Sequence, residues 1–318
     1  MKQQHRTAIG ALLMAAAMPW ASWAGEGGTS HILPGANATL VDVLPTASGS
    51  FVKPMYLNYS GSARAQIPTA AGVVSNADAT ANTFVFGGGY TFDSTVLGGA
   101  HYTVAAFLPY SFLDISAYAQ GSQGATLVRK KSSVDGFGDL TVVPVMLAWK
   151  SGENVQYDFL LPIYAPTGDY EKGRLGNPGL HYWTFDPVFG VTYSNRKSGF
   201  NALLHAGYAW NTENNATDYK SGAQLHFDGA IEQILPAAGG FLALGVEAFY
   251  FRQVTGDGGQ GAKLGEFKGM TAGVGPVLGY IKPIGRNSLA LEAKWLPELD
   301  TKNRLEGDYI WVRAAYKF

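Results

Sequence analysis

The chain reads as an all-β protein, a transmembrane antiparallel β-barrel of twelve strands with a cleavable N-terminal signal peptide. Three observations predict it. An export leader opens the sequence, a dozen stretches alternate apolar and polar residues with the period of a strand, and the last strand ends on an aromatic residue, Phe318.

The leader comes first. Lys2, His5 and Arg6 form a basic start, Ala8 to Met18 is an apolar run, Pro19 breaks it, and Ser22-Trp23-Ala24 sets small residues for cleavage before Gly25. Residues 1–24 are therefore a secretory signal. The run is shorter than the about 18 apolar residues of a spanning helix, and no later segment reaches that length. The chain has no cysteine, which excludes a lipoprotein anchor, a thiol nucleophile, disulfides and cysteine metal sites. An exported chain of this size without disulfides points to the envelope of a Gram-negative bacterium, and to its outer membrane.

Composition agrees. Charged residues make up 15% of the chain, against about 25% in soluble domains, while aromatics reach 13% and glycine 41 residues. Low charge without long apolar runs suits a barrel whose outside meets lipid. The 23 basic residues nearly balance the 24 acidic ones, and the signal carries away only Lys2 and Arg6, so nothing suggests nucleic acid as a partner.

Residues 25–49 lack a clean period, contain Pro34-Gly35 and Pro45, and are predicted as an irregular leader in the lumen. Residues 50–318 form the barrel, with strands near 51–60, 82–93, 100–113, 138–150, 154–166, 182–195, 199–211, 222–235, 240–254, 268–282, 287–299 and 308–318. Short turns near 151–154, 195–199, 236–239 and 284–287 alternate with longer links at 61–81, 114–137, 167–181, 212–221 and 255–267. That alternation separates the periplasmic and extracellular ends of bacterial barrels. An even strand count puts both barrel termini at the short-turn end.

Parity assigns the faces. Leu289, Leu291 and Trp295 point to lipid, and Glu292 and Lys294 point inward. Leu242, Leu244, Val246 and Tyr250 point out, and Glu247, Phe249 and Phe251 in. Leu225, Phe227 and Ile231 point out, and His226, Asp228 and Glu232 in. In the last strand Ile310, Val312, Tyr316 and Phe318 share the lipid face, leaving Tyr309, Trp311 and Arg313 inside. This C-terminal strand, closed by Phe318, is the segment offered to the barrel-assembly machinery, and outer-membrane lipid and lipopolysaccharide surround the finished barrel.

The expected lumen-lining set is thus His205, His226, Asp228, Glu232, Glu247, Phe249, Phe251, Glu292, Lys294, Tyr309, Trp311 and Arg313. Phe249, Phe251, Tyr309 and Trp311 suggest an aromatic route. The inward acids Asp158, Asp186, Asp228, Glu232, Glu247 and Glu292 are partners for Lys294 and Arg313. Catalytic signatures are weak. Gly256-Asp257-Gly258-Gly259-Gln260-Gly261 matches a dinucleotide fingerprint in letters only, since a strand rather than a helix follows. A lumenal hydrolase using His205 or His226 beside Asp228 and Glu232 is the alternative to a hydrogen-bonded polar lumen. No cofactor or metal site is expected.

Gly138-Asp139-Leu140 with Pro144, Pro166-Thr167-Gly168-Asp169-Tyr170, and Asn177-Pro178-Gly179 leading into Tyr182-Trp183-Thr184 and Pro187 form a further pattern. With the Pro34-Gly35 leader and the barrel-like ending, it resembles the meta-pathway of phenol degradation family. The resemblance implies an outer-membrane transporter associated with aromatic or other hydrophobic compounds, and carries over no catalytic residues. From the residues alone, the same motifs are turn punctuation. The resulting expectation is a barrel giving passive passage to a small hydrophobic solute. A hydrolase, and a structural or adhesive barrel working through its outer loops, are the alternatives.

Overall fold

The computed structural model describes residues 26–63, 67–69, 72–74, 76–120, 126–262, 266 and 268–318; the signal peptide predicted over 1–24 lies outside them. The strands are β1 (Gly49–Val52), β2 (Met55–Ala63), β3 (Ile67–Thr69), β4 (Gly72–Val74), β5 (Asn76–Val96), β6 (Ala100–Gln120), β7 (Thr126–Phe137), β8 (Leu140–Ser151), β9 (Val155–Leu160), β10 (Ile163–Ala165), β11 (Thr184–Phe185), β12 (Val188–Asn195), β13 (Phe200–Asn211), β14 (Gln224–Ala237), β15 (Gly240–Gln253), β16 (Met270–Ile284), β17 (Asn287–Lys302) and β18 (Glu306–Lys317).

Apart from the small β3–β4 hairpin, these strands form one ring of twelve antiparallel staves. Four staves are interrupted, β1–β2, β7–β8, β9–β10 and β11–β12, and three of the breaks carry a proline, Pro54, Pro162 or Pro187. Proline has no N–H to give to a ladder, so a strand bends or breaks there. The carbonyls still bond: Ala314 N donates to Pro54 O at 3.0 Å and Tyr208 N to Pro187 O at 3.2 Å. The ring closes where β18 pairs with β2, from Glu306↔Ser62 to Arg313↔Met55, and with β1 at Phe51↔Lys317.

Short turns at 97–99, 152–154, 196–199, 238–239 and 285–286 share one end with both barrel termini. In the tightest, Ala238 and Gly239 both take positive φ, 48° and 72°, as a two-residue hairpin requires. Longer links gather at the other end. Side chains alternate as parity predicts: in β15, Leu244 and Val246 are 44% and 46% exposed while Glu247 is fully buried. Outward aromatics cluster near both ends. Trp183, Phe185 and Trp210 stack at the long-loop end, and Tyr193 meets Phe200 at the short-turn end. Such paired girdles mark the two membrane interfaces.

Two regions differ from the sequence reading: of the link expected at 61–81, residues 61–63 belong to β2, 76–81 to β5, and β3 and β4 form a small hairpin between them. Residues 114–137, expected as a long link, mostly extend the sheet: β6 continues to Gln120 and β7 runs from Thr126 to Phe137. β5 and β6 are 21 residues each, about twice the 9–11 that cross a bilayer. The upper outward face of β6 and its partner β7 is polar, with Asp114, Lys131 and Ser133 exposed, as suits strands that outrun the thickness of a bilayer. Without a lipid-facing stripe the alternation that announces a membrane strand disappears.

The facing assignment makes a stability prediction. Val246→Arg, in the middle of β15, is expected to cost about 2–4 kcal/mol in equilibrium unfolding from lipid vesicles. Leu299→Arg, near the end of β17, is expected to cost less than about 1 kcal/mol.

Candidate functional site

Residues 26–48 run inside the barrel from the long-loop end to the short-turn end, where they enter β1. At the upper end Asn214 Nδ2 donates to Glu26 Oε2 at 2.8 Å, and Ser30 Oγ bonds Gln224 Oε1 at 2.5 Å. At the lower end Gln156 Nε2 donates to Leu44 O at 3.2 Å. The segment is short on charge and rich in small residues, so its peptide groups are free to bond wall side chains.

The tightest docking is at Pro34-Gly35. Gly35 N donates to Asp228 Oδ1 at 2.7 Å, and Lys294 Nζ donates to Gly35 O. Gly35 has φ +78°, and a Cβ there would lie 2.2 Å from Leu296 Cδ1, so only glycine fits. Lower down, Leu40 N donates to Glu232 Oε2 at 2.9 Å.

Around this contact the buried charges form a string. Lys53 Nζ bonds Asp42 at 2.5 Å, Asp42 takes a fork from Arg313 with both bonds at 2.9 Å, Arg313 Nη2 reaches Glu292 at 2.5 Å, and Lys294 bonds Glu247 at 2.8 Å. Arg313 also donates to Ala36 O and Thr39 Oγ1, so its guanidinium is spent on the leader and one wall acid. Asp42 belongs to the leader rather than to a spanning strand. Burial pushes its carboxyl up, but the Arg313 guanidinium and the Lys53 ammonium prevail and hold it well below the usual carboxylate range.

The twelve residues expected to face the lumen are all buried in the barrel interior. Glu247, Glu292, Lys294 and Arg313 make the charged string, and Asp228 and Glu232 hold the leader backbone. His205 pairs with Asp158 at 3.0 Å and His226 with Asp186 at 2.9 Å. Of the acids expected to serve Lys294 and Arg313, then, Glu247 and Glu292 do so, while Asp158 and Asp186 take histidines. Phe249, Tyr309 and Trp311 cluster with Leu57 and Leu296 against Leu33 of the leader, and Phe251 packs with Ile32.

On the other side of the leader lies a cavity of about 590 Å³. Its walls are Leu33, Leu40 and Leu44 of the leader, and Leu57, Val85, Phe107, Leu113 and Val143 of the barrel. The lining extends from Leu175 and Leu180 at the long-loop end to Ser288 and Lys317 at the short-turn end. Of the predicted set, Tyr309 and Trp311 border it; Phe249, Phe251, His205 and His226 do not line it, and the two phenylalanines pack in clusters with Leu33 and Ile32 of the leader. The aromatic route expected from Phe249 and Phe251 is therefore a clamp on Ile32 and Leu33.

The sequence motifs converge at the cavity's upper rim. Asp139 accepts Gly168 N at 2.8 Å, Leu180 N at 2.6 Å and His31 Nε2 at 2.8 Å, and His31 Nδ1 meets Thr184 Oγ1 at 2.7 Å. Gly138, Gly168 and Gly179 approach so closely that a Cβ on Gly168 would sit 2.6 Å from the Gly138 carbonyl carbon. One carboxylate thus ties the break in a stave, the loop over the mouth and the leader. Sequence reasoning placed Asp139 in a motif but missed His31, Asp42, Lys53 and Arg304. Their partners are up to 271 residues away, and only the lone charges inside an otherwise neutral leader hinted at Asp42. Among the described residues no group of three or more His, Asp or Glu is arranged to hold a metal.

A closed ring of twelve lipid-faced staves around an internal segment defines a β-barrel of the outer-membrane type. An outer membrane channel from Pseudomonas putida F1 superposes with a TM-score of 0.62 at 16% identity, covering 90% of this chain and all of that one. The transport unit of the autotransporter AIDA-I from Escherichia coli gives 0.50 at 12% identity, covering 87% and 92%. Compared with curated protein sequences, the chain finds no match. Residues 62–314 match the family described as "Putative MetA-pathway of phenol degradation", and the chain belongs to that family.

The string of charges makes a prediction. Arg313→Met leaves Asp42 and Glu292 buried without their guanidinium, a loss of about 3–5 kcal/mol, and is expected to undock the leader. Added protease should then cut within residues 26–48 of reconstituted protein, where the unaltered protein resists. The pH dependence has a definite sign. The folded pKa of Asp42 is depressed, so its stabilising charge is present above the ordinary carboxylate pKa and lost only as pH falls through the lowered value. Protection of the leader should hold from neutral pH down to about 4.

Proposed function

We propose that this barrel is a channel giving passive passage across the outer membrane to small hydrophobic compounds, aromatic ones in particular. The observation that carries the reading is the apolar cavity beside the docked leader, whose lining includes residues from both ends of the barrel. Its volume lies within the about 300–1,000 Å³ range of small-molecule sites. Leucine, valine and phenylalanine walls favour an apolar solute and offer little to a hydrated ion. Membership of a family named for phenol degradation supports the aromatic part of the reading.

The leader fits this role as the element that sets the bore. It fills the charged half of the lumen, so a solute meets mainly the apolar half. Its release would turn a narrow apolar path into a wide polar one.

Vesicles with lipopolysaccharide in the outer leaflet, which slows spontaneous entry of hydrophobic solutes, provide the test. Protein-containing vesicles are expected to take up labelled phenol faster than protein-free vesicles, with ionic conductance staying small. Arg313→Met should raise the conductance. Equal uptake with and without protein would sink the reading.

A further inference from the structure

We infer that the cavity receives an amphipathic organic anion, an apolar body carrying one carboxylate, and that Arg304 binds the carboxylate. This rests on the passage proposed above and narrows its substrate class.

Arg304 lies in the tight link between β17 and β18, where Asn303 takes φ 58° and the chain folds inward. Its side chain is only 9% exposed and borders the cavity near the long-loop end. The guanidinium carbon stands 4.8 Å from the centre of the Phe251 ring, and Nη2 donates to Tyr309 Oη at 3.2 Å. That is the one hydrogen bond Arg304 makes among the described residues, from a group with five N–H donors. Nε has no hydrogen-bond partner, and the nearest carboxylate oxygen, Glu298 Oε1, is 3.9 Å away.

Glu298 is already engaged. It accepts Tyr59 Oη at 3.0 Å, Gly307 N at 2.7 Å and Tyr309 Oη at 3.4 Å. The other lysine and arginine side chains at the cavity are differently placed: Lys53 is bound to Asp42, and Lys317, at the far end, donates to Ala47 O. Arg304 therefore combines a permanent charge, deep burial and idle donors at the mouth of an apolar chamber. Glu298 balances the charge from 3.9 Å without a hydrogen bond, so the idle donors still call for an acceptor and the apolar chamber for an apolar body; a guanidinium fork matches a carboxylate with paired hydrogen bonds. A ligand that supplies the carboxylate and fills the leucine-lined space beyond satisfies both demands.

The test measures binding of naphthalene-2-carboxylate and of the neutral naphthalene-2-methanol to the protein in lipid nanodiscs, with protein-free discs subtracted. The carboxylate is expected to bind at least about tenfold more tightly than the alcohol. Arg304→Gln should weaken the carboxylate about ten- to a hundredfold and leave the alcohol unchanged. Glu298→Gln, which removes the competing charge, should strengthen the carboxylate, and it decides the matter if Arg304→Gln does not assemble. Assembly is checked by faster gel migration of unheated samples. Equal binding of the two compounds, a preference that survives Arg304→Gln, or weaker carboxylate binding by Glu298→Gln overturns the inference. Binding of the alcohol alone leaves the passage intact and removes only the anion; binding of neither removes the passage as well.

Discussion

A peptide group in hydrocarbon has no water to bond, and an unpaired N–H or C=O there is costly enough to dictate architecture. The ring must close, so residues near the start of the barrel have to pair with its last strand. Met55 to Ser62 do so with Glu306 to Arg313, and Phe51 with Lys317. The same demand governs the prolines. Pro54 and Pro187 interrupt staves, yet each still offers a carbonyl that a neighbouring strand uses.

Closure creates a second problem, because inward side chains share a space too narrow for bulk water. Here the two sides of that space differ. Strands β13 to β18 point Asp228, Glu232, Glu247, Glu292, Lys294 and Arg313 inward, while β2, β5, β6 and β8 point Leu57, Val85, Phe107, Leu113 and Val143. The leader settles on the charged side. It brings Asp42 to Arg313 and peptide groups to Asp228, Glu232 and Lys294, and covers the aromatic rings of Phe249 and Phe251 with Ile32 and Leu33. Burying ions is expensive unless their partners are well placed, and a docked segment can place them better than mobile water. What remains open is the apolar side.

Much of this was legible in the sequence, for a definite reason. Where a strand separates lipid from lumen, its side chains must alternate, so Leu244, Val246 and Glu247 declare their faces by parity alone. The twelve staves of the ring follow from that rule. It fails at the upper part of β6 and β7, where the outward residues Asp114, Lys131 and Ser133 are polar and no lipid-facing stripe marks the strands. It also says nothing of which inward residues meet. That Arg313 would hold Asp42, or that Phe251 would cover Ile32 rather than line a route, depends on where the leader lies, and an aperiodic segment carries no register. Arg304 was invisible for a similar reason: three-residue links have no face, and its inward turn is set by the local backbone.

Some of the leader's partners lie near the far end of the chain. Gly35 meets Lys294 across 259 residues, and Ala36 meets Arg313 across 277. Contacts so distant in the chain cannot form until the final strands exist and the ends have been brought together, which is the slowest kind of ordering for a polypeptide. These two contacts of the leader therefore wait for the final staves, whatever the leader has already bonded earlier in the chain.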